Sequence, residues 1–564
     1  MIFANDAYEL ELAGNGRRVE LRAGGRMQLA LSLLAAVDRV GGPDETLALA
    51  APDVRDGVIV VERRSTQWEH ARTELHCLDG AVEVRTFVRG RGPLADVRLL
   101  GGRSLIAGAP LGPSLSGTPL PTLFTPNPED HAEQIRSSRD GAAIGVVGDS
   151  EPGRTRWLFT PAPLYLALGD GESWVDLAVV SPVAELCFPE LVFEAASNAF
   201  ALRLGYEGRT SVDGELELPR VLVTPGVSDP YEGLRRHRAD LVQRSAAPAA
   251  SVRAQAPWWS EPIFCGWGAQ CHLENTRGGL ARDYATQANY DDFLGALERH
   301  GLVPGTIVLD DKWQATYGRN EPDEAKWPDL RGWIARRHEQ GRRVLLWWKA
   351  WDPEGVAPEL CIRTPDGAPV ALDPTNPAAR DELRAIVESM LSPAGLDADG
   401  FKVDFTARTP SGEALAGGDG SWGIALLHEL LAIVYDAAKA AKPDALVMTH
   451  TPHPGFVDVT DMIRLNDMIS GPIVPQMVHR AEVVRAACPE LPIDTDDWRV
   501  PDKRSWREFL ERKPELGVPS LYYATHIDTG EELDDDDYAA IRRAWDRWRD
   551  SARRLDGARP GAAA

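Results

Sequence analysis

Basic charge is scarce in this 564-residue sequence, in which 61 Lys and Arg residues stand against 85 Asp and Glu residues, for a formal net charge of −24 at pH 7. This balance argues against a nucleic-acid partner, because phosphate binding requires clustered Lys and Arg. The same acidity repels an anionic membrane surface or a polyanionic ligand. We therefore expect a neutral ligand, with neither nucleic acid nor membrane as a partner.

Three kinds of segment are also missing. The six cysteines form no CxxC pair, which argues against a zinc cage or a disulfide framework. No run of about 18 apolar residues could span a membrane, and the opening MIFANDAYELEL has neither the basic region nor the apolar core of a secretory signal. These absences predict a cytoplasmic protein with reduced thiols and no cofactor or metal, and leave open whether it forms a homo-oligomer.

Residues 1 to about 225 have the pattern of an all-β domain. Apolar and polar residues alternate in short segments, as at 81–88, and Gly-Gly, Asp-Gly and Gly-Pro pairs separate them. This pattern is typical of antiparallel sheets. We predict an N-terminal β-sandwich domain over residues 1–245 that ends in a linking helix at 229–244, followed by an Ala/Pro-rich linker.

From Pro262 onward the pattern changes to β-strands that alternate with amphipathic helices. Eight strands are predicted, at 263–267, 306–311, 344–351, 400–405, 445–450, 462–467, 491–498 and 519–528. Eight such units over roughly 290 residues predict a catalytic (β/α)8 barrel, with residues 246–564 as its domain. The fifth crossover is too short for a good helix. A doubly wound open sheet is the alternative, but no GxGxxG loop follows the first strand.

Polar and aromatic side chains stand at the C-terminal ends of these strands, where barrel enzymes place their active sites. One such residue could simply be a helix N-cap, but a ring of them predicts a site at the barrel mouth. The ring comprises Trp267, Asp310, Asp311, Trp348, Lys349, Asp404, His450, Asn466, Asp467, Asp494, Asp496, Asp497, His526 and Asp528.

The sharpest local feature is the segment GFKVDF on the fourth strand. Lys402 and Asp404 are two residues apart, so their side chains lie on one face of the strand. We expect an ion pair or a shared ligand, in which the ammonium keeps Asp404 ionised as a carboxylate nucleophile requires. A structural salt bridge inside the barrel is the alternative.

Glycoside cleavage needs a second carboxylate across the sugar, about 5–5.5 Å away in retaining enzymes and about 6.5–9.5 Å away in inverting ones. The candidates are Asp467 on strand six and Asp494, Asp496 or Asp497 on strand seven. Alternate barrel strands contribute to the same layer of side chains, so strands four and six are favoured as partners. We predict that Asp467 is the general acid/base.

At these residues the chain resembles glycoside hydrolase family 36, the α-galactosidase and raffinose-synthase group, and more distantly family 31. Four segments carry the resemblance: FCGW at 264–267, IVLDDKWQ at 307–314, FKVD at 401–404 and LND at 465–467. The resemblance implies an N-terminal β-supersandwich before the barrel. It also implies that Asp404 is the nucleophile of a retaining α-glycosidase and that Asp467 is its acid/base.

The resemblance further implies a set of sugar-binding residues. Trp267, Asp310, Asp311 and Lys402 would hold the sugar in the −1 subsite, and Trp348 and Lys349 would bind substrate at the third strand. We add His450 and Asp497 as further substrate-binding candidates. The family's CSGGGRFD stretch is absent, and THTPHPGFVDVTDMIRLND stands in its place, so the identity of the sugar is left open.

Three other functions compete with an α-galactosidase-like glycosidase that cleaves α-linked neutral sugars. A transglycosylase of the raffinose-synthase type would use the same covalent intermediate. A non-catalytic sugar-binding protein would keep the barrel without the chemistry. A metal-dependent barrel hydrolase or isomerase would use His450, His453, His526 and the aspartates at 494–497 as ligands.

Overall fold

The computed structural model describes residues 2–13, 16–106, 112–126, 135–137, 159–194, 197–249, 255–468 and 472–558. The chain forms two compact units. Unit 1 comprises Met1–Ala249, Thr409–His428 and His453–Gly455, and unit 2 comprises Ala250–Arg408, Glu429–Pro452 and Phe456–Ala564. The units are interleaved along the sequence, because two short segments that follow barrel strands belong to unit 1.

Unit 1 is β-rich, as the alternating pattern predicts. Its strands are β1 (Phe3–Ala4), β2 (Glu9–Leu12), β3 (Arg18–Ala23), β4 (Arg26–Ser32), β5 (Ala36–Arg39), β6 (Thr46–Leu49), β7 (Asp53–Arg55), β8 (Val58–Ser65), β9 (His70–Cys77), β10 (Val82–Leu99), β11 (Gly101–Ser104), β12 (Gly112–Gly117), β13 (Thr122–Phe124), β14 (Ile135–Ser137), β15 (Tyr165–Gly169), β16 (Trp174–Val180), β17 (Phe188–Glu194), β18 (Ala199–Gly205), β19 (Ser211–Glu217) and β20 (Arg220–Val227).

Strand β10 joins the antiparallel pairings of unit 1 into one network. Its first part pairs with β9 and β19, and its last residues pair with β5 and β18. The expected linking helix is α1 (Pro230–Gln243). It begins where Asp229 caps the backbone N–H of Tyr231 at 3.2 Å, with proline at its first position.

Unit 2 contains a parallel eight-stranded sheet. Its strands are β21 (Ile263–Cys265), β22 (Thr306–Leu309), β23 (Arg343–Lys349), β26 (Gly400–Asp404), β27 (Leu446–Thr449), β28 (Met462–Arg464), β29 (Ile493–Asp494) and β30 (Ser520–Leu521), with the hairpin β24 (Cys361–Arg363) and β25 (Pro369–Leu372) outside the sheet. The helices are α2 (Trp267–Arg277), α3 (Gln287–Arg299), α4 (Leu330–Glu339), α5 (Pro377–Leu391), α6 (Ile424–Ala441), α7 (Ile473–Ala487), α8 (Lys503–Leu516) and α9 (Asp535–Ala558).

The eight strands follow one another in sequence order around a nearly closed barrel. The order runs from β30 through β21, β22, β23, β26, β27 and β28 to β29, and a parallel bridge between Asp494 and Val518 lies at the remaining gap. All eight predicted strands are present but shorter, because their polar C-terminal residues leave the ladder and form the loops of the mouth. The fifth crossover, between β27 and β28, contains no α-helix, as expected.

Apolar side chains fill the barrel below its mouth. The buried cluster includes Ile263, Cys265, Val308, Leu345, Leu446, Met448, Met462 and Val518. Their burial forms the hydrophobic floor that supports the polar side chains above it. Among the described residues, no helix is both long enough and apolar enough to cross a membrane.

Candidate active site

The two predicted catalytic aspartates are brought together by an arginine that the sequence analysis did not single out. Arg464 is the last residue of β28, and its side chain is buried. Its Nη2 donates to Asp404 Oδ1 at 3.1 Å, and its Nη1 donates to Asp467 Oδ1 at 3.0 Å. One guanidinium therefore spans the ends of the fourth and sixth barrel strands and fixes both carboxylates beside it.

The two carboxyl groups differ in protonation. Burial opposes the ionisation of Asp404, but the surrounding charges and hydrogen bonds, of which Arg464 contributes most, together outweigh it and hold the pKa of Asp404 well below its usual range. Burial raises the pKa of Asp467 to about 7, against the opposing effect of Arg464. Below about pH 7 the site thus holds one carboxylate and one carboxylic acid, the division that general acid catalysis requires.

Both carboxyl groups remain open to a ligand. The side chain of Asp404 is 22% exposed and that of Asp467 is 32% exposed, whereas that of Arg464 is 1% exposed. The backbone N–H of Phe405 donates to Asp404 Oδ1 at 2.9 Å, and the indole Nε1 of Trp347 donates to Oδ2 at 3.2 Å. These donors orient Asp404 and stabilise its negative charge.

The ion pair predicted for Lys402 has a different partner. Lys402 Nζ donates to Asp310 Oδ2 at 2.7 Å, and Cys265 Sγ donates to the same oxygen at 3.0 Å. Asp404 is paired with Arg464 instead, although the ammonium of Lys402 also contributes to lowering its pKa. Lys402 and Asp404 lie on the same face of β26, as expected. Arg464, and not Lys402, makes the direct contact with Asp404, because its side chain extends across the mouth from β28.

The tryptophan that contacts the site is Trp347, and Trp348 lies on the opposite face of β23. In the parallel register, Trp347 lies beside Lys402 and Lys349 lies beside Asp404, so these four residues share the inner face. Trp348 is buried on the outer face, where its ring packs edge-on against Phe401 at 5.2 Å. The structure therefore places Trp348, a predicted substrate-binding residue, on the face of β23 opposite the one that carries Trp347 and Lys349 and away from Asp404.

Asp311 and Lys349 are linked through Tyr317. The hydroxyl of Tyr317 donates to Asp311 Oδ1 at 2.7 Å, and the Nζ of Lys349 lies 4.1 Å from the centre of the Tyr317 ring. Lys349 also pairs with Asp352 at 2.7 Å. Burial raises the pKa of Asp311 to about 6. When Asp311 is ionised, its carboxylate oxygens can accept hydrogen bonds from sugar hydroxyls at the end of β22.

Two indole rings lie at the junction between the first and seventh strand ends. Trp267 is the first residue of α2 and is partly buried, and its ring meets the ring of Trp498 edge-on at 5.8 Å. Indole faces pack well against the C–H faces of sugars, and the arrangement leaves Trp267 as a candidate for that contact.

His450 contacts the same arginine as the two aspartates. Its Nδ1 accepts from Arg464 Nη2 at 3.3 Å, and its Nε2 lies 2.6 Å from Thr406 Oγ1. Burial, together with the positive charge of Arg464, lowers the pKa of His450 to about 4. A neutral imidazole with Nδ1 as acceptor places its proton on Nε2, directed at Thr406.

The alternative function, a metal-dependent hydrolase or isomerase, requires a cluster of metal-binding side chains. In the described ranges, no group of three His, Cys, Asp or Glu side chains is arranged to hold a metal ion. His453 belongs to unit 1. His526 stacks its ring on that of His272 with centres 4.1 Å apart.

The three aspartates after β29 have different environments. Asp496 Oδ2 accepts from Arg464 Nη1 at 2.7 Å, so Asp496 lies behind the site. Asp494 Oδ1 accepts from Ser520 Oγ and from the backbone N–H of Asp496. Asp497 is turned away: Lys513 donates to its Oδ1 at 2.5 Å, and Trp506 Nε1 and the backbone N–H of Tyr522 donate to its Oδ2. The structure therefore does not bring Asp497 to Asp404 and Asp467.

The loop that carries Asp467 is held from behind by Arg480 of α7. Arg480 Nη1 donates to the carbonyl oxygens of Leu465, Asn466 and Asp467 at 2.8 to 2.9 Å. Left-handed backbone occurs at Phe405 with φ 60°, at Asn466 with φ 67° and at Asp496 with φ 56°. Such conformations cluster at functional sites, where surrounding contacts hold them in place.

Arg464, Arg480 and Tyr317 are among the site residues that sequence reasoning missed. The available signal for Arg464 was a lone cation in a buried strand, which requires an anionic partner. Arg480 gave no comparable signal, because arginine on an amphipathic helix is common.

Solved structures share this fold. A GH31 family sulfoquinovosidase from E. rectale in complex with the aza-sugar inhibitor IFGSQ aligns with a TM-score of 0.57 at 11% identity, over 98% of this chain and 83% of that one. The α-galactosidase TtGalA from Thermus thermophilus, in complex with p-nitrophenyl α-D-galactopyranoside, aligns with a TM-score of 0.53 at 15% identity, over 88% and 95%.

A third neighbour is a cycloalternan-degrading enzyme from Trueperella pyogenes in complex with cycloalternan, with a TM-score of 0.52 at 12% identity over 89% of this chain and 72% of that one. No protein-family model and no curated protein matches the sequence. The similarity therefore establishes that this chain has the fold of these glycoside-processing enzymes.

Proposed function

We propose that the chain is a glycoside hydrolase, a retaining α-glycosidase in which Asp404 is the nucleophile and Asp467 is the general acid/base. One observation carries the proposal: Arg464 binds both carboxyl groups, and the pKa of Asp404 is held below its usual range while that of Asp467 is raised to about 7. The proposal also takes residues 246–564 as the catalytic barrel domain and the preceding β-rich domain as a β-supersandwich.

The chemistry follows from these two protonation states. Asp404 attacks the anomeric carbon while the bond from that carbon to the leaving oxygen breaks and Asp467 gives that oxygen its proton. A glycosyl ester on Asp404 results. Asp467, now a carboxylate, takes a proton from water as the water oxygen attacks the anomeric carbon. The ester bond breaks, Asp404 is regenerated, and two displacements leave the sugar with its original configuration.

Arg464 supports both steps without exchanging a proton. Its guanidinium keeps Asp404 ionised before attack and stabilises the charge that appears on Asp467 after proton transfer. The buried pair of Lys402 and Asp310 and the indole of Trp347 complete the polar surroundings of the nucleophile. Each of these groups is placed by a strand end, which gives the rigid positioning that such catalysis needs.

The substrate class follows from the fold neighbours and the side chains at the mouth. TtGalA was solved with p-nitrophenyl α-D-galactopyranoside and with stachyose. Trp267, Asp311 and Lys349 offer an indole, a hydrogen-bond acceptor and a cation for a sugar in the −1 subsite. We propose an α-linked neutral sugar of an oligosaccharide or glycoside, with an α-galactoside as the first candidate.

The test begins with a panel of aryl α-glycosides, which identifies the sugar that is cleaved. On that substrate, Asp404→Ala should lose at least about 1,000-fold in kcat, and added azide should restore turnover with a β-glycosyl azide as product. Azide replaces the lost carboxylate and attacks from the same face. Wild-type turnover in Asp404→Ala would remove this residue from the mechanism.

Asp467→Asn gives the complementary result. The loss in kcat/KM should be large on substrates with poor leaving groups and small on activated aryl glycosides, because a good leaving group needs no proton. An equal loss on both classes would assign Asp467 to binding. Asp461→Asn is the matched control, since Asp461 is a buried, ion-paired aspartate that precedes the same strand.

A further inference from the structure

A third carboxylate shares the guanidinium that binds the two proposed catalytic groups. Asp496 Oδ2 accepts from Arg464 Nη1 at 2.7 Å, which is shorter than either bond from Arg464 to Asp404 or Asp467. The side chain of Asp496 is 0% exposed. It therefore contacts the arginine and has no surface left for a substrate.

The loop after β29 fixes Asp496 in this position. Its Oδ1 accepts the backbone N–H groups of Asp497 at 2.6 Å and of Trp498 at 3.0 Å. Its own backbone N–H donates to Asp494 Oδ1, and its carbonyl oxygen accepts from Lys513. Two amide donors and a guanidinium favour the ionised carboxylate, so Asp496 is a fixed negative charge.

We propose, on the basis of the proposed function, that Asp496 is a positioning residue: it anchors Arg464 between Asp404 and Asp467 and offsets part of the arginine's positive charge, so that Asp467 retains its proton until the leaving group departs. Without this offset, the full charge of Arg464 would act on Asp467 and favour its ionised form. Asp467 would then have lost its proton before the substrate binds.

Charged and titratable groups from several elements act on this balance. Asp404 and Lys402 of β26 face Asp467, and Arg480 of α7 holds its backbone. His450, after β27, and Tyr522, after β30, act on Arg464. Of these groups, Asp404 and Asp496 carry the negative charge opposite Arg464, and Asp404 is consumed as the nucleophile. Asp496 alone in this set keeps its charge through both steps.

The deciding measurement is the pH dependence of kcat/KM on an α-glycoside with a poor leaving group, whose cleavage depends on the proton of Asp467. Asp496→Asn keeps the shape of the side chain and removes its charge. The alkaline limb, which reports Asp467 in the free enzyme, should move to lower pH by about one unit. A packing role alone would lower kcat and leave the limb where it is, and an unmoved limb in a folded Asp496→Asn protein overturns the proposal.

Asp461→Asn is the control for burying an asparagine in place of an ion-paired aspartate. Asp461 accepts from Lys439 at 2.7 Å and from the backbone N–H of Val447, and it does not contact Arg464. Its variant should keep the alkaline limb at the wild-type position. A shift equal to that of Asp496→Asn would show that the effect is unspecific and would also overturn the proposal.

Two further readouts keep the result unambiguous. Asp467→Asn must remove the alkaline limb. If the limb persists in Asp467→Asn, the proposed function fails. If the limb is removed in Asp467→Asn but unmoved in Asp496→Asn, only the role of Asp496 is refuted. If Asp496→Asn does not fold, carboxyl-carbon NMR of the wild-type protein decides. Asp496 must stay ionised between pH 5 and 9 while Asp467 titrates, and a protonated Asp496 in that range contradicts the inference.

Discussion

At the scale of single residues, the account depends on two carboxyl groups of the same type that Arg464 holds in opposite protonation states. At Asp404, burial acts against the charge, but Arg464, Lys402 and the backbone N–H of Phe405 act together for it, and the pKa is lowered. Asp467 is the group for which burial prevails, and its pKa is raised to about 7. Environment, not residue type, assigns the roles.

A pH profile follows from these two values. Turnover of a glycoside with a poor leaving group requires ionised Asp404 and protonated Asp467, so its kcat/KM should fall as the pH rises through about 7. On the acid side, activity should persist well below pH 4, because the pKa of Asp404 lies far below its usual range. An activity that rises between pH 7 and 9 would contradict the assignment of Asp467 as the acid.

The adjacent tryptophans of β23 provide a matched pair. Trp347→Phe removes the indole N–H that donates to Asp404 Oδ2, and kcat should fall by roughly 10- to 100-fold. Trp348→Phe changes an indole on the outer face that packs on Phe401, and kcat should stay within about twofold of wild type. Steady-state kinetics of the two variants on one substrate test the inner and outer faces, and a reversed order would contradict the register.

Sequence reasoning succeeded where periodicity alone decides the outcome. The two-residue spacing correctly placed Lys402 and Asp404 on one face, and strand order correctly paired the ends of strands four and six. It failed for the partner of Lys402 and overlooked Arg464, because side-chain reach across a barrel is not encoded in spacing. The left-handed backbone at Asp496 also separates the environments of neighbouring aspartates in a way that no pattern shows.

At the scale of secondary-structure elements, the short strands are the feature that builds the site. Strand β28 has three residues and β29 has two, so the chain leaves the ladder early and carries polar groups into the mouth. The predicted strands were longer, because the sequence does not mark where a ladder ends and a loop begins. The loop after β28 lies outside the ladder, and Arg480 of helix α7 holds it in place through hydrogen bonds to its carbonyl oxygens.

Arg480→Lys tests this support. Nη1 of Arg480 makes the three carbonyl contacts while Nη2 bonds Gln476 at 3.3 Å. A lysine ammonium is a single nitrogen on a shorter side chain and cannot keep both sets of contacts, so Asp467 should lose its fixed position. We expect kcat to fall by about tenfold or more, with a smaller change in KM. Arg485→Lys is the control on the same helix, because Arg485 is partly exposed and bonds to Glu482 and to the end of α8. Equal effects of the two changes would refute a specific role for Arg480.

At the scale of the whole molecule, the barrel is completed at the gap between β29 and β30. Lys513 of α8 is fully buried there, and it donates to Asp497, to the carbonyl oxygen of Asp496 and to that of Ser520. Asp497 also accepts from Trp506 and from the backbone of Tyr522. These contacts tie β29, α8 and β30 together, so we assign Asp497 to barrel closure.

Asp497→Ala should therefore act on stability. Removing one partner leaves the Lys513 ammonium buried without its counter-charge, and the free energy of unfolding should fall by about 3–5 kcal/mol. At a temperature where the variant is folded, KM should be close to that of the wild type. Denaturant unfolding and steady-state kinetics measure both effects, and a raised KM with unchanged stability would return Asp497 to the substrate-binding set.

The covalent intermediate tests the central claim most directly. A 5-fluoro glycosyl fluoride of the sugar found in the aryl glycoside panel should inactivate the enzyme by forming a slowly hydrolysed ester, and peptide mass spectrometry should locate the added mass. The account predicts one glycosyl group per chain, on Asp404, and none in Asp404→Ala. A label on Asp467 or Asp496 would contradict it, as would complete inactivation without any covalent label.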